Sequence, residues 1–318
     1  MNKIFVFLAA AAAAVSLVSC GAEVSTPTIS DSASVSDYST LDSHGSGWGF
    51  VRVKGEPPEI PAAQVATLER FNGVYLDHSG EKNLYLTFDE GYENGFTAVI
   101  LDVLAKTNTP AAFFVTGPYL ESQGQLRERM INEGHIVGNH TVNHLNLPNQ
   151  PDDTVRSEIT RLNERCLELY GYEMKYMRPP EGEFSERSLA ITADLGMKTV
   201  MWSFAYKDWD VNSQQGADHA YESVMPYLHN GAVILLHAVS SDNASALESI
   251  INSAKEQGYT FRSLDEMRNA TVEELTRVKG MNKTAAENVF RFFRMKKDEK
   301  RMLVEGFIDG ERDDSSKF

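Results

Sequence analysis

The sequence predicts an α/β fold, either a (β/α) barrel or a wound parallel sheet flanked by helices. Two observations carry that reading. From Gly47 onward, short apolar or β-branched runs alternate six times with longer stretches of helical spacing. The uncommon polar residues stand where the apolar runs stop, and in barrels of this kind strand ends and the loops after them build the active site. With 318 residues and 42% hydrophobic side chains, the chain has enough apolar surface for a sizeable core.

The strands are expected at 83–88, 111–116, 135–138, 176–178, 197–202 and 233–236, each a short run of apolar or β-branched residues bounded by polar or turn-forming ones. Helices are expected between them at 95–106, 123–133, 152–170, 186–195, 217–228 and 243–257, where apolar residues recur every three or four positions.

The first twenty residues have a different texture. Lys3 precedes an apolar run that ends in Leu17-Val18-Ser19-Cys20-Gly21. The run is too short for a comfortable membrane span and is followed by small residues, the pattern of a secretory signal closed by a lipobox. That resemblance implies lipidation of Cys20 and anchorage on the outer face of the cytoplasmic membrane, facing the cell wall. The alternative is a signal that is simply cleaved. Residues 21–46 are rich in Ser, Thr and Asp and read as a flexible tether. Cys166 is then the one remaining cysteine, so no intramolecular disulfide can form, and its helical surroundings mark it as a packing residue. A formal net charge of −15 argues against nucleic acid or an anionic lipid surface as the main partner.

Five polar clusters follow apolar runs. Leu84-Tyr85-Leu86-Thr87-Phe88 ends in Asp89-Glu90, two carboxylates that are costly to bury unless a cation or an arginine compensates them. His140 and His144 stand four apart, so on a helical turn both imidazoles would face one way, as a divalent metal requires. Arg178, ahead of Pro179-Pro180-Glu181-Gly182, can pair with Asp89 and keep it ionised. Asp208-Trp209 follows the fifth strand, and the sixth runs straight into His237, a proton donor at the same mouth. Taken singly, each has a bland reading as a core residue, a cap or a surface ion pair. Their recurrence at the same relative place points to catalysis.

In order and spacing these motifs resemble the polysaccharide deacetylase family, carbohydrate esterase family 4, over residues 47–268. The matching segments are Thr87-Phe88-Asp89-Glu90, residues 140–144, residues 178–182, Asp208-Trp209 and Leu235-Leu236-His237. The resemblance implies a distorted (β/α) barrel and metal-dependent hydrolysis of an N-acetyl amide. It further implies a divalent metal, expected to be zinc, on His140 and His144, with Glu90 as a third ligand. Asp89 becomes the base, His237 the acid oriented by Asp208, and Arg178 the support of Asp89. A backbone N–H near Glu181 becomes an oxyanion donor, while Trp209 and Tyr92 form the wall of the acetyl or sugar pocket. Two departures stand out: many members carry Asp where this chain has Glu90, and Asp where it has Ala205. Trp48-Gly49-Phe50, residues 91–95, residues 183–186 and His237-Ala238-Val239-Ser240 are similar to the muramic acid deacetylases that prepare the δ-lactam of spore cortex. The implied substrate is therefore N-acetylmuramic acid in the peptidoglycan glycan strand. N-acetylglucosamine or a chitin-like glycan, and a catalytically weak wall-binding lipoprotein, remain as alternatives.

Beyond the deacetylase-like region, residues 269–294 form a further segment, of which 271–294 resemble a single helix-hairpin-helix unit, with Thr271 and Glu274 placed as a capping box. Export disfavours a DNA partner, leaving a packing or wall-contact role. The charged tail, 295–318, reads as helix fading into disorder.

Overall fold

The computed structural model describes residues 37–267. Cys20 and the signal segment, most of the tether, the helix-hairpin-helix-like segment and the charged tail lie outside the described residues.

The folded unit begins earlier than Gly47. Tyr38 is 5% exposed within the core, and its hydroxyl donates to Asp194 and accepts from Arg156. One aromatic side chain with two polar partners orders a stretch whose average composition is that of a tether, so the boundary expected at residue 46 moves back to Tyr38. Three short strands follow: β1 (Ser46–Gly47), β2 (Val51–Val53) and β3 (Glu56–Glu59), the last two forming a hairpin. Helix α1 (Ala62–Arg70) completes this entry segment.

The main sheet is parallel throughout. Its strands are β4 (Asn83–Glu90), β5 (Ala111–Val115), β6 (Ile136–Asn139), β7 (Tyr176–Met177), β9 (Lys198–Thr199), β10 (Ala232–His237) and β11 (Thr260–Phe261); β8 (Glu183–Phe184) pairs instead with β1. The spatial order is β10-β4-β5-β6-β7-β9, with β11 joining the start of β4. The helices between them are α2 (Thr97–Thr107), α3 (Gly117–Ser122), α4 (Gly124–Asn132), α5 (Asp152–Tyr170), α6 (Glu186–Asp194), α7 (Ala217–Val224) and α8 (Ser241–Glu256). Single bridges from Val74 to Val200, Leu76 to Ala232 and Phe204 to Ile234 span the gap between β9 and β10, curling the sheet into a distorted barrel. The expected α/β class and barrel are both borne out.

Side-chain alternation along β4 builds two cores. Leu84, Leu86 and Phe88 pack outward with Ile100, Leu101 and Leu104 of α2 and Leu247, Ile250 and Ile251 of α8. Tyr85 packs on the inner side with Phe114, Leu235 and Trp202. Each fully buried large apolar side chain contributes on the order of 1.5–3 kcal/mol. The register pairs Leu236 with Phe88 and His237 with Asp89, so β4 and β10 deliver their polar ends to the same rim.

Two elements differ from expectation. The strand expected at 197–202 keeps only Lys198–Thr199 in the ladder, because the chain then crosses to β10, where the Ser203 and Phe204 N–H groups both donate to the Val233 carbonyl. The helix expected at 217–228 stops at Val224 and gives way to a 3-10 turn at Met225–Tyr227. Pro226 has no N–H to continue the α-helical ladder.

Candidate active site

Asp89, the next-to-last residue of β4, faces the inside of the barrel, and Arg178 just beyond β7 reaches under it. Arg178 Nη1 donates to Asp89 Oδ1 at 2.8 Å, Nη2 to Thr87 Oγ1 at 2.9 Å and Nε to the Val200 carbonyl at 3.0 Å. The guanidinium is fully buried and lies over the Phe114 ring, 4.3 Å from its centroid. A buried charge in this setting must be paired and hydrogen-bonded to be tolerated. Burial alone would raise the Asp89 pKa, but Arg178 first, then His140 and His237, hold the carboxyl below the usual range.

His140 and His144 lie on the loop after β6, their ring centroids 4.8 Å apart and their planes at 74°. The expected helical turn is absent. Thr141 and His144 both adopt left-handed backbone (φ 67° and 54°), and that reversal brings the rings together. Such conformations cost on the order of 1–3 kcal/mol each and persist only where surrounding bonds fix them. Here the Thr141 N–H donates to Asn139 Oδ1 at 2.8 Å and the His144 N–H to Thr141 Oγ1 at 3.0 Å. Glu158 on α5 accepts from the Asn143 N–H at 2.7 Å and from its side-chain amide at 2.6 Å.

The His140 tautomer follows from its partner. Nδ1 lies 2.8 Å from the Arg178 carbonyl, which can only accept, so Nδ1 carries the proton and Nε2 keeps its lone pair. Nε2 stands 3.6 Å from Asp89 Oδ2. Burial outweighs the attraction of Asp89 and lowers the His140 pKa to about 4, leaving the imidazole neutral near pH 7, the form a metal binds.

On the opposite side, His237 Nδ1 donates to Asp208 Oδ1 at 2.7 Å. Asp208 Oδ2 accepts from the His237 N–H at 2.8 Å and from Asn243 Nδ2 at 2.6 Å. Burial disfavours the imidazolium, yet the Asp208 hydrogen bond and charge, with Asp89 adding to them, carry the His237 pKa above its ordinary value.

These groups frame a cavity of about 850 Å³ lined by Asp89, Tyr92, His140, His144, Glu181, Trp209 and His237, among others. Arg178 and Asp208 sit behind that wall. Trp209 (55% exposed) and Tyr92 (54%) stand at the mouth. Glu181 has φ 60° and Gly182 φ 68°, a reversal that turns this loop at the cavity edge. A side chain at Gly182 would place its first carbon 2.7 Å from the Trp202 ring. Ala205 also lines the cavity.

Glu90 is set apart from the others. Strand alternation sends it to the helix-covered face of β4, away from Asp89, and it is fully buried with neither carboxyl oxygen hydrogen-bonded. Burial above all, then Glu93 and Asp89, raise its pKa well above the ordinary value. It does not stand beside the histidines as the ligand the resemblance suggested. Among the described residues no group of three His, Cys, Asp or Glu is placed to hold a metal ion. The donor set that does fit a divalent cation is His140 with His144: two imidazoles on the cavity wall, one fixed in the ligand tautomer.

Several participants escape sequence reading. Thr87 is a partner of Arg178, Asn243 of Asp208, and Glu158 of the histidine loop. Asn243 looks like an ordinary residue in the first turn of a helix. Gln214, which donates to the carbonyls of Asp208 and Asp210, has no signature.

Residues 77–200 match the family model described as polysaccharide deacetylase. The chain is 44% identical over 222 residues to the peptidoglycan-N-acetylmuramic acid deacetylase PdaA of Bacillus subtilis, spanning 69% of this chain and 84% of that protein. The solved structure of Bacillus subtilis PdaA, a family 4 carbohydrate esterase, aligns with a TM-score of 0.70 at 43% identity, over 71% of this chain and 98% of that one. A peptidoglycan-N-acetylglucosamine deacetylase of Bacillus cereus is 35% identical over 62% of this chain and 70% of its own length. The chain belongs to the polysaccharide deacetylase family, carbohydrate esterase family 4.

Proposed function

We propose that the protein hydrolyses the N-acetyl amide of N-acetylmuramic acid in peptidoglycan, releasing acetate and leaving a free amine on the sugar. One observation carries the reading. A buried Arg178–Asp89 pair, and a half-buried His237 backed by the buried Asp208, bring a carboxylate and an imidazole to one cavity that also holds two adjoining imidazoles. The likeness to the Bacillus subtilis muramic acid deacetylase favours muramic acid over the other amino sugar.

His140 and His144 would hold the divalent cation, which we assign as zinc. When bound, it supplies Lewis-acid polarisation of the acetyl carbonyl and acidification of water. Asp89, ionised at neutral pH, takes a proton from the attacking water. As the carbonyl carbon becomes tetrahedral, its oxygen gains charge that a backbone N–H near Glu181 stabilises. His237 protonates the departing nitrogen, a step an amide requires because its amine is a poor leaving group. Asp208 holds the imidazole in the Nδ1–H tautomer and supports its protonated form. Trp209 and Tyr92 offer apolar faces to the sugar or the acetyl methyl.

We further propose that the protein is exported and held through lipidated Cys20 on the outer face of the cytoplasmic membrane, next to its substrate. A role in making spore cortex follows from the muramic acid assignment. Treated peptidoglycan digested to its disaccharides and analysed by mass spectrometry tests the sugar: loss of the acetyl mass from muramic acid supports the proposal, and loss confined to glucosamine replaces it with the other deacetylase reading.

A further inference from the structure

We infer that Glu158 is the positioning residue that sets the spacing of His140 and His144 and so the affinity of the pair for its cation; this rests on the two-histidine reading above. The loop between the histidines, residues 141–143, has no helical or strand hydrogen bonding of its own. Three of its donors converge on one residue of α5: the Val142 N–H on the Glu158 carbonyl at 3.1 Å, the Asn143 N–H on Oε2 at 2.7 Å and Asn143 Nδ2 on Oε1 at 2.6 Å.

Glu158 is 4% exposed. A glutamate on the buried face of a helix is a poor packing choice, and a buried polar group must find partners. Both of its side-chain oxygens are met by the loop, which is the feature its burial serves. His140 has an independent anchor, since its Nδ1 is bonded to the Arg178 carbonyl. Among the described residues His144 is hydrogen-bonded through its N–H to Thr141 Oγ1, and its backbone is tied to α5 through the adjoining Asn143, across two left-handed residues. Releasing Asn143 lets the backbone at Thr141 and His144 relax, and the His144 ring leaves its place beside His140. The effect then falls on the cation, because Glu158 itself is absent from the cavity lining.

The test is Co²⁺ titration of the full chain, read by its visible spectrum, with thermal unfolding of the metal-free protein measured alongside. Glu158→Ala is expected to weaken Co²⁺ binding about 10- to 100-fold, the range found for residues that orient metal ligands. Glu158→Gln, which keeps one acceptor oxygen, should fall between that variant and the wild type. Asn143→Ala removes the side-chain bond to Oε1 while keeping the backbone N–H bond to Oε2, so it should weaken binding less, and it serves if Glu158→Ala does not fold. The double variant should lose no more than the stronger single one, since both break one contact. Wild-type Co²⁺ affinity in Glu158→Ala and Asn143→Ala, while His144→Ala loses it, overturns the inference. Wild-type affinity in both His140→Ala and His144→Ala overturns the two-histidine reading and the clamp with it.

Discussion

Asp208→Asn keeps the shape of the side chain that orients His237 while removing its charge. The carboxylate serves three donors: His237 Nδ1 at 2.7 Å, the His237 N–H at 2.8 Å and Asn243 Nδ2 at 2.6 Å. Asparagine has one acceptor oxygen, so its amide nitrogen must face at least one of them. A hydrogen bond to a charged group contributes about 1.5–3 kcal/mol, which corresponds to roughly a 10- to 150-fold change in the proton affinity of His237. In the proposed mechanism His237 works in its protonated form, present below its pKa, and in the wild type Asp208 raises that pKa against the opposing effect of burial. The variant therefore loses turnover as pH rises through a lower value, and the alkaline limb of kcat moves acid by about one to two pH units. The assay is acetate release across pH at saturating substrate. The deficit should be smallest at the acid end and widen through neutrality. A uniform drop with the alkaline limb unmoved would refute the role given to Asp208.

Three further substitutions probe the surroundings. Glu90→Gln should stabilise the protein at neutral pH, because the amide stays buried and polar but removes the carboxyl whose charged form burial disfavours. The Glu90 pKa is raised on folding, so the wild type keeps this group's stability below the unfolded carboxyl pKa and loses it as pH rises. The gap in urea midpoint should thus widen with pH while activity stays near wild type, and a large loss of activity would return Glu90 to the site. Gly182→Ala should lower stability by about 1–3 kcal/mol and perturb tryptophan fluorescence, because φ is 68° and the added carbon meets Trp202 at 2.7 Å; an unchanged Tm would contradict this. Trp209→Ala should raise KM with stability altered by no more than about 0.5 kcal/mol, since the ring is 55% exposed, whereas an unchanged KM would remove Trp209 from the substrate surface.

Much of this architecture was legible because buried parallel strands read as unbroken apolar runs, and a polar residue directly after one marks a rim. Asp89 and His237 stand out in the sequence for that reason, and the register then puts them side by side. The His140–His144 spacing was visible, but its geometry was not. A four-residue interval says nothing about φ, and the left-handed backbone at Thr141 and His144 depends on Asn139 and Glu158, the latter on a helix whose position only the fold defines. Glu90 shows the opposite case: period-two alternation separates adjacent strand residues onto opposite faces, a physical signal that the family pattern of paired acids obscured. Tyr38 was hidden by averaging, one anchoring aromatic in a stretch of small polar residues.

The central claim is tested most directly by acetate release from purified peptidoglycan, comparing the wild type with and without a chelator and with Asp89→Asn. Release that the chelator stops, that added zinc restores and that Asp89→Asn lacks is the result the account predicts. No release with any divalent metal, on intact or peptide-stripped glycan, would contradict it and leave a wall-binding protein that keeps the fold without the chemistry.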